Sequence, residues 1–256
     1  MGLSLRNEQR ISFVCPKGEQ EMGVKVEAER EIVYPESDGK PMADNTLQAH
    51  YIVYLFDNLK ALFSNDPNVL VAADLLWYPV EGEPSICTAP DVMVVFGRPK
   101  GHRRSYLQWQ EGNIAPQVVF EVWSPSNSVR DFLDKLNFYE RFGVEEFYFY
   151  DPDKGELLGW VRKGEELVPV ERMDGWVSPR LGTKFTLQGK DLVVYYPDGE
   201  PFATYEKLRE QWLRERQRAD MERQRAEKER QRAERERQRA ERLAQRLREL
   251  GIEPEE

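Results

Sequence analysis

From Thr204 onward the chain is written in sevens. Ala219, Ala226, Ala233 and Ala240 stand seven apart, and the unit Glu-Arg-Gln-Arg-Ala-Glu-Lys/Arg recurs from Glu222, Glu229 and Glu236. The residue types in that unit are strong helix formers, and self-similarity at a fixed period marks one repeated local structure. The spacing predicts a long charged helix over residues 204–250. A coiled coil needs apolar residues at two heptad positions. Here only one is filled, by alanine, until apolar residues return at Leu243, Leu247 and Leu250. Two states fit this pattern. One is a lone helix braced by Arg-to-Glu pairs four apart, such as Arg225–Glu229 and Arg232–Glu236. The other is a weak coiled coil or a tail that docks on a protein partner. Neither builds a core, so the fold must come from the residues before Thr204.

Those residues divide into a polar lead, residues 1–30, and one domain, residues 31–203; residues 251–256 are a short tail. The domain is long enough to bury a core. Asn45 or Thr46 suits an N-cap, and Leu47, Tyr51, Tyr54, Leu55, Leu59 and Leu62 follow at helical spacing. Val69–Ala73, Asp74–Val80, Asp91–Phe96 and Gln117–Trp123 read as strands. A second helix is expected from Val129 to Phe142, with Phe132, Leu133, Leu136 and Tyr139 toward a sheet and Gly143 closing it. Strands follow at Glu146–Tyr150, Leu157–Arg162, Glu166–Glu171 and Leu192–Tyr196. Strands and helices mixed in this way make the fold α/β.

Charge and composition then narrow the function. The net charge of −9 argues against a large positive field for nucleic acid, but leaves room for an enzyme that meets DNA briefly through a local basic patch. No run approaches the ~18 apolar residues that cross a bilayer, and Met1–Arg10 lacks the apolar stretch of a secretory leader. Two cysteines, Cys15 and Cys87, far apart, make a disulfide framework unexpected and a cytoplasmic setting the expectation. Two histidines, His50 and His102, without paired cysteines, do not suggest structural zinc. No glycine-rich phosphate loop or Gly-x-Ser-x-Gly elbow occurs.

Two carboxylates stand out. Asp91 opens the run Asp-Val-Met-Val-Val-Phe, and Glu121 interrupts Val-Val-Phe-Glu-Val-Trp thirty residues later. A carboxylate on a buried strand is costly unless it is paired or binds a metal. Two on adjacent strands could hold one Mg²⁺, a hard ion that takes oxygen ligands. Such an ion lowers the pKa of a bound water and steadies charge developing on a phosphate. The competing reading is that each carboxylate caps a strand end or meets an arginine. Asp74 offers a similar choice: a third carboxylate at the metal, or a charge at a strand edge. Lys135 lies one helical turn after Asp131, and either pairs with it or reaches back to the carboxylates.

Four segments in order carry a resemblance: Ala89-Pro90-Asp91-Val92-Met93-Val94-Val95, Val119-Phe120-Glu121-Val122-Trp123-Ser124-Pro125-Ser126, Asp131 to Tyr139, and Gly143 to Pro152. Together they resemble the Uma-type restriction endonuclease family of the PD-(D/E)XK nuclease superfamily, over roughly Tyr34 to Tyr196. The resemblance implies a restriction-endonuclease-like central mixed sheet flanked by helices. It also implies a Mg²⁺- or Mn²⁺-dependent endonuclease that hydrolyses DNA phosphodiester bonds. The family's aspartate, glutamate and helix lysine fall on Asp91, Glu121 and Lys135, and its first-helix histidine on His50. The superfamily's lysine two residues after the glutamate is replaced here by Trp123.

The loop Arg98-Pro99-Lys100-Gly101-His102-Arg103-Arg104 is the concentrated basic patch of the domain. It follows the Asp91 strand, so Arg98, Lys100, Arg103 and Arg104 are expected to border the cleft and contact phosphates, or else to form a solvated loop. DNA is the expected transient partner. A homodimer is expected because double-strand cleavage commonly needs two active sites. The rival expectation is a catalytically silent nuclease fold acting as a binding or assembly module, with the helix as its interaction device. The near-balanced charge of that helix argues against its being a DNA arm.

Overall fold

The computed structural model describes residues 32–249. The lead up to residue 31, with Cys15, and the tail beyond residue 249, with Leu250, lie outside the described residues. In chain order the elements are α1 (Thr46–Leu62), β1 (Val69–Ala73), β2 (Trp77–Tyr78), β3 (Val92–Phe96), β4 (Tyr106–Leu107), β5 (Val118–Val122) and α2 (Val129–Arg141). They continue with β6 (Glu146–Asp151), β7 (Glu156–Lys163), β8 (Glu166–Pro169), β9 (Lys184–Gln188), β10 (Asp191–Tyr195) and α3 (Tyr205–Glu249).

Both domain helices start where local chemistry predicts. The Asn45 side chain accepts from Gln48 N at 2.8 Å, satisfying one orphan donor of α1. Ser128 and Asp131 form a reciprocal capping box at the start of α2. Each cap is worth about 1 kcal/mol.

Six strands form one mixed sheet in the order β1-β3-β5-β6-β7-β8. All neighbours are antiparallel except β5 and β6. That parallel pair needs a crossover, and α2 supplies it. The hairpin β9–β10 and the parallel pair β2–β4 make two further small sheets. Helix α1, the β9–β10 hairpin and the even-numbered residues of β5 share one core, which includes Ile52, Leu55, Val118, Phe120, Val122 and Phe185. Helix α2 covers the other face over Met93, Val95, Val119, Phe147 and Phe149. With both faces covered, β5 is buried at every position, so its sequence is a continuous apolar run broken only by Glu121.

Some sequence expectations shift. Leu47 is 40% exposed and Leu133 is 48% exposed, so neither faces the core. Ile52 takes the interior position on α1. The expected strand Asp74–Val80 shrinks to Trp77–Tyr78 because Asp74 breaks it with φ 48°. An L-residue in the left-handed region costs about 1–2 kcal/mol, and aspartate is among the residues that tolerate it. Strand β9 was not foreseen.

Candidate active site

The sheet register brings the acidic residues together. Ala73 pairs with Val92, and Val92 pairs with Phe120. One step further along the same antiparallel ladders, Asp74, Asp91 and Glu121 fall in one row across three neighbouring strands. The Asp74 N–H donates to the carbonyls of Pro90 and Asp91 at 3.2 and 3.3 Å, which ties the first two members of the row. Residues 93, 119 and 121 have the same parity on their strands, so Glu121 points to the α2 side.

From that side α2 supplies two partners. Lys135 Nζ donates to Glu121 Oε2 at 2.5 Å. Tyr139 OH donates to Glu121 Oε1. These residues are four apart, so both side chains leave the same face of the helix. Asp131 is not the partner of Lys135; its Oδ2 is held by the backbone N–H and hydroxyl of Ser128, both at 2.7 Å. Tyr139 is fixed in turn by stacking on Trp77, with centroids 6.4 Å apart and planes at 2°. The side chain of Glu121 is 8% exposed and that of Lys135 33%. The lysine therefore spans from the buried carboxylate to solvent, where a substrate could touch it.

Asp91 serves two ends. Its Oδ2 accepts from the Val122 N–H at 2.6 Å, capping β5 where the β3 ladder stops. Its Oδ1 has no hydrogen-bond partner among the described residues. Burial first, and then the neighbouring Glu121 charge, push the Asp91 carboxyl well above the usual carboxylate range. Asp74 is raised as well, by desolvation, then by Asp38, with a smaller push from Glu121. Burial pulls the Lys135 ammonium down, but Glu121 and Asp91 outweigh it and the net shift is upward. The site is thus a crowd of acids balanced by one lysine.

The far side of the sheet steadies the same spot. Gln48 is buried on α1 and donates from Nε2 to the Val122 carbonyl at 2.8 Å, while its Oε1 accepts from Asp44 N at 2.8 Å. Asp44 Oδ2 accepts from the hydroxyls of both Ser124, at 2.6 Å, and Ser126. Those two hydrogen bonds hold the Asp44 carboxyl below its usual range. The Ser-Pro-Ser turn thus clamps the end of β5 to the start of α1. Gln48 and Tyr139 were not assigned roles from sequence. Each has a visible signal: a glutamine at a core position of one helix, and a tyrosine one turn beyond the lysine on another.

The other expected residues lie elsewhere. His50 is exposed and stacks on Tyr54, 6.4 Å between centroids. The basic loop leaves the opposite end of β3 from Asp91, about 17 Å away for five strand residues. There Arg98 and Arg103 both bind Glu111, at 2.8 and 2.6 Å. Lys100 donates to the carbonyls of Phe63 and Ser64 at the end of α1. By Arg104 the loop has turned back: Arg104 meets Glu36 at 2.9 Å, and two residues on, the Tyr106 N–H donates to the carbonyl of Leu76 at 2.7 Å. Strand direction thus sets Arg98, Lys100 and Arg103 away from the carboxylates they were expected to border, while Arg104 lies on the Asp74 side. Trp123, where the superfamily lysine would stand, packs on Phe149 with centroids 5.1 Å apart. Its ring helps line a small pocket beside Glu121 and Lys135, with Asn127, Phe132 and Phe149.

The donor chemistry suits a hard divalent ion. Asp91 and Glu121 offer carboxylate oxygens, and Asp74 stands next in the row. Among the described residues no three such side chains close into a full ligand cage. An ion here would rest on two carboxylates and water, as Mg²⁺ commonly does.

Comparison with known proteins gives the family. Residues 20–189 match the family model described as "Uma2: Putative restriction endonuclease". No curated protein matches the chain. Among solved structures, a putative nuclease of DUF820 from Anabaena variabilis is similar at 16% identity and a TM-score of 0.38, covering 55% of this chain and 74% of that one.

Proposed function

This chain belongs to the Uma2 family of putative restriction endonucleases, and from that premise we propose that it hydrolyses DNA phosphodiester bonds with Mg²⁺ or Mn²⁺ held by Asp91 and Glu121. One observation carries the proposal. Lys135 Nζ lies 2.5 Å from Glu121 beside Asp91, so α2 supplies the cation that Trp123 removes from β5. A bound divalent ion would supply a more acidic water and charge stabilisation at the phosphate. Lys135 neutralises a non-bridging phosphate oxygen or orients the attacking water. Tyr139 holds the Glu121 carboxylate in place. Val122 N–H holds Asp91, and Gln48 fixes the Val122 peptide from behind. As the water oxygen bonds to phosphorus, one P–O ester bond breaks. The water proton passes to solvent, and the leaving oxygen takes one back.

Cleavage of supercoiled plasmid with Mg²⁺ or Mn²⁺ tests this, with Glu121→Ala as the control. Nicking or linearisation by the wild type and none by the variant is the expected result. A folded wild type that cuts no plasmid across varied sequences with either ion overturns the proposal.

A second reading is a silent binding module. It is favoured by the occupation of both Glu121 oxygens by protein donors. Calorimetry separates the two: an enzyme binds Mg²⁺ and loses that binding in Asp91→Ala, whereas a silent module has no need of the site.

A further inference from the structure

Helix α3 is exposed along its described length, with only Ala244 and Leu247 half-buried. Residues 205–249 hold sixteen Lys and Arg against eleven Asp and Glu, a net charge of +5, which leaves −14 of the chain's −9 for the remainder. The near balance read from the repeat is an average that hides a sorting by position.

At 3.6 residues per turn, positions four apart lie about 40° from each other around the axis. Two columns related in this way adjoin: Arg214-Met221-Lys228-Arg235-Arg242 and Arg218-Arg225-Arg232-Arg239-Arg246. Nine of the ten side chains are cationic and none is acidic. The stripe runs for about 48 Å at 1.5 Å per residue and winds by about 20° per heptad. Glutamines at every seventh position from Gln217 to Gln245 border it on one side. The glutamates Glu215, Glu222, Glu229 and Glu236 form a separate column on the other. Arg214 and Arg225 are drawn to Glu210 at 2.5 Å and Glu229 at 3.7 Å. The other seven cations have no ion-pair partner among the described residues.

The same pattern disfavours two other occupants. With the alanines at heptad position a, glutamates 215, 222, 229 and 236 fill position d of the same seam, and the positions that flank it are Arg216-Arg223-Arg230-Arg237 on one side and Arg218-Arg225-Arg232-Arg239 on the other. Pairing with a second copy along that seam sets arginine against arginine in either orientation, because the flanking positions meet one another. A helix that lies on a membrane surface needs a broad face of large apolar residues, and this seam is alanine and glutamate through the repeat. A linear polyanion fits both the stripe and its length. Duplex DNA presents one charge per about 1.7 Å of axis.

We propose that α3 is a DNA-holding arm, whose nine-cation stripe lies along the phosphate backbone of duplex DNA. The choice of DNA among polyanions rests on the endonuclease reading. Such contacts carry no sequence information; they raise the local concentration of substrate and make binding steeply salt-dependent.

The test is fluorescence anisotropy of a labelled duplex of about 30 base pairs with the full chain, in EDTA so that nothing is cut. One variant changes four stripe arginines: Arg225→Gln, Arg232→Gln, Arg239→Gln and Arg246→Gln. A second removes the same charge from the seam's other flank: Arg216→Gln, Arg223→Gln, Arg230→Gln and Arg237→Gln. Glutamine and arginine have similar helix propensity, and circular dichroism confirms that the helix is kept. The stripe variant is expected to bind at least about tenfold more weakly and to lose about 3–4 from the slope of log K against log salt between about 50 and 200 mM. The flank variant is expected to change much less. Equal weakening in both variants overturns the proposal, as does a wild type that binds no duplex at about 50 mM salt or binds only anionic phosphatidylserine vesicles. A chain that binds through the stripe yet never cuts plasmid keeps the arm and removes the endonuclease. One that cuts plasmid while both variants bind as the wild type does the reverse.

Discussion

Two glutamates are buried in the same sheet, and under the proposed function they do opposite jobs. Glu146 begins β6 and points to the α1 side, 1% exposed. It accepts from Tyr148 OH at 2.8 Å, from the Ser178 hydroxyl, and from Arg180 N at 2.6 Å. No second carboxylate presses on it, and its donors tie the 178–181 turn to the sheet. Glu121, on the neighbouring strand β5 and three residues beyond Val118, the partner of Glu146, is also fully bonded, but it sits beside Asp91 and depends on a partly exposed lysine. Burial alone therefore does not mark a site. A structural carboxylate is surrounded by donors. A chemical one is set against another acid, at a cost that only a cation or a substrate relieves.

The largest expected difference is in activity. Glu121→Ala and Asp91→Ala should each lower plasmid cleavage by about 10³-fold or more, equivalent to about 4 kcal/mol of transition-state stabilisation. Asp91→Asn keeps an acceptor for Val122 N–H and removes the like charge, so its stability to urea should hold level or rise while cleavage is lost. A fall in stability matching that of a core deletion would erase the contrast with Glu146.

Glu146→Ala should show the mirror image. It leaves two buried donors unpaired, at about 1–3 kcal/mol each, and the part-buried Arg180 N–H at less, for a loss of roughly 3–6 kcal/mol in urea unfolding. Mg²⁺ binding, measured by calorimetry at a temperature where the variant is folded, should be unchanged. Weakened metal binding would mean that the two ends of the sheet are coupled.

The sequence made one half of this contrast visible. Asp91 opens and Glu121 interrupts a run of apolar strand residues, and a charge there is conspicuous without any structure. Asn45, which caps α1, and the start of α2 at Val129 were equally visible, because capping and periodicity are local. What links strands is not local. The Gln48–Val122 contact joins residues 74 apart, and Tyr139–Glu121 joins residues 18 apart across a helix–sheet interface. A tyrosine at helical spacing looks like core, and here it is both core and hydrogen-bond donor. Arg98, Lys100 and Arg103 stand far from Asp91 for a related reason: adjacency in the chain says nothing of which end of β3 the loop leaves. Glu146 opens an apolar strand much as Asp91 does, yet only its donors from residues 178 and 180 show it to be an anchor.

Lys135 tests what balances the acids. Lys135→Met keeps the length of the side chain and removes its charge. Cleavage should fall by about 10²-fold, and stability by about 1 kcal/mol once solvent screening of the half-exposed ammonium is allowed for. Mg²⁺ should bind at least as tightly, because the ammonium no longer competes for Glu121. Loss of both cleavage and metal binding would show instead that the lysine builds the carboxylate pair rather than acting on the phosphate.

The smallest effect is in the pH dependence of stability, and it separates anchor from site scaffold by sign. Burial raises the folded-state pKa of Glu146 above its ordinary 4.5, against the pull of its three donors. Its titration therefore contributes stability that is complete below the unfolded value and is lost as pH rises through the folded value. Hydrogen bonds from Ser124 and Ser126 lower the pKa of Asp44 below 3.8, so its contribution is present above that value and is lost as pH falls through the folded one. The stability gap between wild type and Glu146→Gln should thus narrow as pH rises from about 4.5, and the gap to Asp44→Asn should narrow as pH falls below about 3.8. Urea unfolding across the acid range reads both. Curves that stay parallel for Glu146→Gln would mean that its donors fully offset its burial, leaving the Asp91–Glu121 pair as the sheet's one strained acidic group among the described residues.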